Sequence, residues 1–335
     1  MAVLVIEDQM ARKLRLEYAG AMYHVINRGN YRAAIFAEEG ARQAFMGCLV
    51  EACAKAGWVL HAYVLMSNHY HLALETPQGN LVEGMRWLQS TFANRFNRFR
   101  GENGHVFQGR YKALVVESGK ELGAVAHYIH LNPVRAKIVS MERLAEYPDS
   151  SFAALMAPKK RPRCLQVKTY LQAAGKLADT AAGRRKYVKY LVWLSENEPA
   201  QKQLNFESIS KDWALGGKAF KMSLIKDHRV KLAQLGAKEA STREARELLW
   251  LEALNVAMSK LGKTATDVAR DKKAAPWKVA IAAQLKSAST VTNVWLAEQL
   301  RMGAPDGVSR YVGEVRRGQR REAERLIRKV KSIRN

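Results

Sequence analysis

The chain has 335 residues, 48% of them hydrophobic, and 55 Lys and Arg against 31 Asp and Glu give a net charge of +24. That length favours two or three domains over one core, and the apolar fraction excludes a wholly disordered chain. So large a positive excess points to a polyanion as partner, with a generally basic soluble surface as the alternative.

Met1 to Asp8 lacks the basic start and long apolar core of a signal peptide. No later segment is long and apolar enough to cross a membrane, and no amphipathic helix pairs a large apolar face with a basic one, so no membrane partner is expected. Met22 to Arg28 reads as a strand ending at the turn signal Gly29-Asn30. Glu38 to Ala56 is helical, with Ala41, Phe45, Cys48, Leu49 and Cys53 on one face and Gly57 closing it. Trp58 to Leu65 and His69 to Glu75 are strands joined through Met66-Ser67-Asn68. Asn80 is placed to cap a helix, with Glu83 at the capping-box position, and Leu81, Met85, Leu88, Phe92, Phe96 and Phe99 form its stripe. Tyr111 to Glu117 is a fourth strand, and the helix from Lys120 to Leu131 stops at Asn132-Pro133. The order β-α-β-β-α-β predicts an α+β fold, a split βαβ with an antiparallel four-stranded sheet and helices on one face. Cys48, Cys53 and Cys164 are few, odd in number and not at metal-ligand spacing, which fits a reducing, cytoplasmic setting.

The basic, proline-broken stretch Pro158 to Arg163 reads as a linker, and residues 165 to 240 show helical pattern without recognisable chemistry. This divides the chain into 1–155, 156–240 and 241–335. Near the end, Pro276 opens a helix, Asn293 to Leu300 forms a second, and Met302 to Pro305 is a turn before a third that begins at Asp306. Two helices around a tight Gly turn fit a helix-turn-helix that reads duplex DNA, with Ser309 and Arg310 as contacts; an ordinary helical hairpin is the alternative. The tail from Arg316 to Asn335 is strongly basic and continues as helix.

Two short pieces carry chemistry. His69 and His71 lie two apart on one strand, so both imidazoles point to one side and can share a metal, unless the pair is coincidental. Two histidines are too few for a closed zinc site; with an amide and open positions, Mg²⁺ or Mn²⁺ bound also by phosphate fits. Tyr128 and Asn132 lie four apart on one flank of their helix, where a nucleophile and a metal ligand could meet the histidines. Tyr128 could also be a packed aromatic, and Asn132 a helix cap. His127 and His130 flank Tyr128 and read as surface residues or as a base. Arg86, Arg95, Arg98 and Arg100 either touch phosphates or solvate their helix.

The stretches Gly20 to Asn30, Met66 to Leu72 and Tyr128 to Ala136 resemble the REP-associated tyrosine transposases, of the HUH single-strand nucleases, over residues 15 to 155. The resemblance implies a ferredoxin-like or RRM-like fold and a divalent metal on His69 and His71, with Tyr128 as nucleophile and Asn132 as third ligand. It also implies that Val106 to Lys112 lies near the DNA, which makes Arg110 and Lys112 candidate contacts, and Arg135, like Lys112, is a candidate because it neighbours the catalytic motifs. The activity implied is metal-dependent cleavage and transfer of single-stranded, hairpin DNA through a 5′-phosphotyrosine. A non-catalytic DNA-binding regulator and a replication or mobilisation initiator of the same superfamily are the alternatives, and the oligomeric state, monomer or homodimer, stays open.

Overall fold

The first alternating segment forms strand β1 (Ala21–Arg28) in the computed structural model, which describes residues 16–211, 213–227 and 243–331. Met1 to Asp8 lies outside the described residues. The chain forms two compact units, one ending at Lys221 and the other beginning at Met222.

In the first unit β1 is followed by α1 (Glu39–Ala56), β2 (Val59–Leu65), β3 (His69–Thr76), α2 (Leu81–Arg100), β4 (Lys112–Val116) and α3 (Lys120–Arg135). The strands lie in the order β2-β3-β1-β4, every pair antiparallel, as the hydrophobic periodicity requires. A fifth strand, β5 (Ala214–Leu215), adds in parallel beside β4, so the sheet is mixed rather than wholly antiparallel. Two residues carry too little periodicity to announce a strand.

One sheet face is an aromatic core. Tyr70 packs among Phe36, Phe45 and Phe107, and its hydroxyl accepts from Gln89 at 2.8 Å. The α2 stripe is buried through Phe96, while Phe99 is 68% exposed. Asn80 makes no cap: its amide donates to the Ala56 carbonyl and accepts from the Trp58 indole, tying α1 and the following strand to α2. The Glu17 carboxylate takes the Val82 N–H instead.

The other face, expected to be open, is covered by α3, which packs on β2 and β3. Helix α3 runs through Pro133, past the stop read at Asn132-Pro133. A proline this near the end forfeits one ladder bond, and the Ala136 N–H closes the last turn on the Asn132 carbonyl. Asn132 is therefore inside the helix and does not cap it.

The remaining helices of this unit are α4 (Ser151–Met156), α5 (Lys168–Ala173), α6 (Ala181–Glu196) and α7 (Glu198–Gln203), and α8 (Lys218–Asp227) crosses into the second. The stretch read as a linker is bound down: Arg161 pairs with Asp179 at 2.6 Å, and Leu60 exchanges backbone bonds with Cys164 and Gln166. Composition signals a loop but is silent about what the loop pairs with. Helices α5 and α6 pack on α3, and a Cβ at Gly123 would overlap Ala173, so glycine permits the approach.

His127 and His130 are buried, not surface residues, and neither faces a substrate space. The Tyr187 hydroxyl lies 2.9 Å from His127 Nδ1 and 2.8 Å from His130 Nδ1, and His130 Nε2 lies 2.8 Å from Ser151 Oγ. Ser151 spends its own proton on the Tyr63 carbonyl at 3.1 Å. His130 Nε2–H therefore donates to Ser151, Tyr187 O–H donates to His130 Nδ1, and His127 Nδ1–H donates to Tyr187. This chain of polar groups anchors α3 from behind.

The second unit contains α9 (Arg243–Lys260), α10 (Ala265–Arg270), α11 (Pro276–Ala288), α12 (Asn293–Gln299), α13 (Pro305–Arg316) and α14 (Arg321–Lys331). Its core joins Trp250, Leu254, Trp277, Ile281, Trp295, Leu296, Val308 and Val312. The helices expected at Pro276 and Asn293 and after Met302 are all present, and Thr292 caps α12 by accepting from Trp295 N–H. The basic tail is not one continuous helix: the chain breaks at Gly318, where φ is +72°, before α14. Residues 332–335 lie outside the described residues. Among the described residues no helix is long and apolar enough to cross a membrane.

Candidate active site

Strands β1 and β3 pair with Arg28 opposite His69, Ile26 opposite His71 and His24 opposite Ala73. Directly opposed residues share a sheet face and strand residues two apart do too, so His24, His69 and His71 stand on the α3 side. Helix α3 presents Tyr128 and Asn132 to that side, one turn apart. The result is a cavity of about 620 Å³ lined by His69, His71, Tyr128 and Asn132. Its remaining wall includes Arg28, Arg32, Arg110 and Lys112 and, among the described residues, no carboxylate. The basic groups of Arg28, Arg32, Arg110 and Lys112 give this wall a character that suits an anion.

The rings are close: 5.2 Å between the centroids of His69 and His71, and 5.8 Å between His71 and Tyr128. His69 Nδ1 lies 2.7 Å from the Asn68 side-chain oxygen, which can only accept, so the proton is on Nδ1 and Nε2 is bare. His71 Nδ1 is bonded at 2.9 Å to His24 Nε2. Burial, then the nearby Arg28 charge, holds His69 below the ordinary histidine range. Burial, then His24 and His69, holds His71 well below it. Both imidazoles are thus neutral at neutral pH.

Asn132 is 9% exposed, and its amide nitrogen has no hydrogen-bond partner among the described residues. Asn132 can ligate only through its side-chain oxygen, and that oxygen with the imidazole nitrogens of His69 and His71 makes a donor set that fits a divalent ion whose remaining positions go to water and phosphate. No group of three or more His, Cys, Asp or Glu that could hold a metal exists among the described residues.

Two expected DNA contacts are already engaged. The Lys112 ammonium donates to the carbonyls of Ser210 and Lys211, each at 2.7 Å, although the residue lines the cavity. Arg135 stands beside Tyr128: its guanidinium is 5.4 Å from the Tyr128 ring centre and 5.5 Å from that of Phe206, and it donates to Gln201 at 2.8 Å. Arg95 and Arg100 pair with Glu51 and with Glu38 and Glu102, as a solvated helix face would. Ser309 and Arg310 are exposed on α13 in the other unit.

Residues 17–132 match the family model described as transposase, IS200 like, and His69, His71, Tyr128 and Asn132 all fall within the match. This span is an IS200-like transposase domain. Its function is accordingly of transposase type, on DNA. Two solved structures are similar to the chain. One, a REP-associated tyrosine transposase bound to a REP hairpin, is 18% identical with a TM-score of 0.38, over 46% of this chain and 89% of its own. The other, a candidate transposase from Deinococcus radiodurans R1, is 22% identical with a TM-score of 0.27, over 38% of this chain and 92% of its own. No curated protein matches the chain.

Several residues that shape the transposase site are not evident from sequence reading: His24, Asn68, Phe206 and the Ile209 and Ser210 segment. The signal for His24 is a histidine on β1 two residues before Ile26, on the same face as the metal-type pair. The segment 204–211 lies beyond the matched span and carries no motif, so nothing local marks it.

Proposed function

We propose that the transposase domain is a metal-dependent endonuclease and strand transferase acting on single-stranded, hairpin-forming DNA. The observation that carries this reading is the convergence of Tyr128, His69, His71 and Asn132 on one cavity whose wall includes Arg28, Arg32, Arg110 and Lys112. His69, His71 and Asn132 would hold Mg²⁺ or Mn²⁺, and a bound ion would supply Lewis-acid polarisation of the scissile phosphate and offset its charge. Tyr128 Oη attacks phosphorus, the bond from phosphorus to the 3′-oxygen breaks, and the phenol proton ends on the departing 3′-hydroxyl. The product is a 5′-phosphotyrosine, and attack by another 3′-hydroxyl restores Tyr128 and rejoins the strand. Arg28, Arg32 and Arg110 neutralise backbone phosphates along the wall. His127 and His130, committed to Tyr187, take no part in proton transfer.

The second unit supplies a duplex contact in this reading. Helices α12 and α13 are joined by a turn with positive φ at Arg301 and Gly303, and α13 exposes Ser309 and Arg310, as a helix-turn-helix requires. The test is incubation of the full chain with labelled hairpin DNA and Mn²⁺, with Tyr128→Phe beside it. A covalent protein–DNA adduct that the variant cannot form supports the enzyme. No adduct with any hairpin refutes it and leaves the regulator, with duplex binding as its sole activity. Cleavage by both proteins alike refutes the tyrosine route in favour of attack by water.

A further inference from the structure

His24 is fully buried on β1, yet it lines no part of the cavity. Placing an imidazole in the middle of a buried strand costs desolvation unless both nitrogens are bonded, and here both are. Nδ1 lies 2.8 Å from the Ile209 carbonyl oxygen, and Nε2 lies 2.9 Å from His71 Nδ1, with the two rings stacked at 5.1 Å. A carbonyl only accepts, so the His24 proton sits on Nδ1. Nε2 then carries a lone pair and takes the N–H of His71 Nδ1. That bond removes the other tautomer of His71 and fixes the angle of its ring.

We infer that His24, backed by the Ile209 carbonyl, is a positioning residue that holds His71 in the tautomer whose Nε2 is free to bind the metal. The inference rests on the reading of His71 as a metal ligand. It also gives the segment 204–211 a share in the site, because the terminal acceptor of the relay comes from there and not from the matched span. Asn68 performs the corresponding service for His69 by a single direct bond. Outer partners of this kind orient metal-binding histidines and raise their basicity.

The experiment compares the full-length wild type, His24→Phe and His24→Gln by calorimetric titration with Mn²⁺ in the absence of DNA. The His71 ring is read in parallel by long-range ¹H–¹⁵N NMR of the metal-free protein. Phenylalanine keeps a ring for stacking and deletes both nitrogens. Glutamine can accept from His71 through its oxygen and donate to Ile209 through its nitrogen. The expected result is a wild-type His71 protonated on Nδ1, an Mn²⁺ affinity roughly 10–100-fold weaker in His24→Phe, and substantial recovery in His24→Gln. A wild-type His71 protonated on Nε2 overturns the relay and needs no variant to fold. Unchanged Mn²⁺ affinity in a folded His24→Phe overturns it as well. A wild type that binds no Mn²⁺ overturns the metal reading on which the inference stands, and the metal-free NMR pattern keeps that failure distinguishable from failure of the relay.

Discussion

Replacing Tyr187 by phenylalanine removes one oxygen from the back of α3 and leaves the packing volume unchanged. In the native proton order that oxygen accepts from His127 Nδ1–H and donates to His130 Nδ1, at 2.9 and 2.8 Å. Its loss strands one buried N–H and one buried lone pair, beside a His127 Nε2 that has no partner among the described residues. At roughly 1–3 kcal/mol for each orphaned buried group, the cost comes to roughly 2–6 kcal/mol. That is a large part of the 5–15 kcal/mol that holds a typical domain together. Urea unfolding followed by circular dichroism is the assay, and the midpoint should fall with the slope little changed. The substituted atom does not line the cavity, so adduct formation well below the unfolding transition should survive. A stability change under about 0.5 kcal/mol would refute the bonding order, because it would mean that the two imidazoles have other partners.

Acid should unfold the transposase unit early. Burial lowers His127 to about 3, so below the unfolded histidine value near 6.5 the unfolded chain binds the extra proton and stability falls with pH. That one group costs roughly 2 kcal/mol between pH 7.5 and 5, measurable as a shift in urea midpoint that shrinks in His127→Gln. Arg110→Ala should flatten the plot of log affinity against log salt for single-stranded DNA by about 0.7, the share of one phosphate contact. Lys112→Met should alter that slope less and instead speed amide exchange across 204–211, since its ammonium is spent on the carbonyls there. Arg310→Ala should weaken duplex binding in gel shifts while leaving the hairpin adduct intact.

Much of the transposase unit is legible in the chain because its signals are local. The helix and strand periods of residues 21–132 place each element within a few residues, and the pairs His69/His71 and Tyr128/Asn132 follow from those periods alone. What escapes is tertiary. Proline at 133 reads as a stop, yet so near the end of α3 it costs one bond that packing readily offsets. The Pro158 to Arg163 stretch reads as a linker because composition cannot reveal the Asp179 that binds Arg161 or the Leu60 backbone waiting beside it. His24 looks like any strand residue until β1 is laid against β3. Lys112 and Arg135 read as DNA contacts from their neighbours in sequence; their ionic heads are engaged in the 201–211 segment, 66 to 99 residues downstream.

That segment also bears on modularity. A fragment ending at residue 155 would retain every side chain that faces the substrate space except Ser210, and would pass for a complete nuclease on any motif search. It would lack Phe206 against the Tyr128 ring, the Ile209 carbonyl behind His24, and the two carbonyls that hold Lys112. Water would take those places. Excision, or exchange of this domain between relatives, has to carry the chain through Lys221 as one heritable piece.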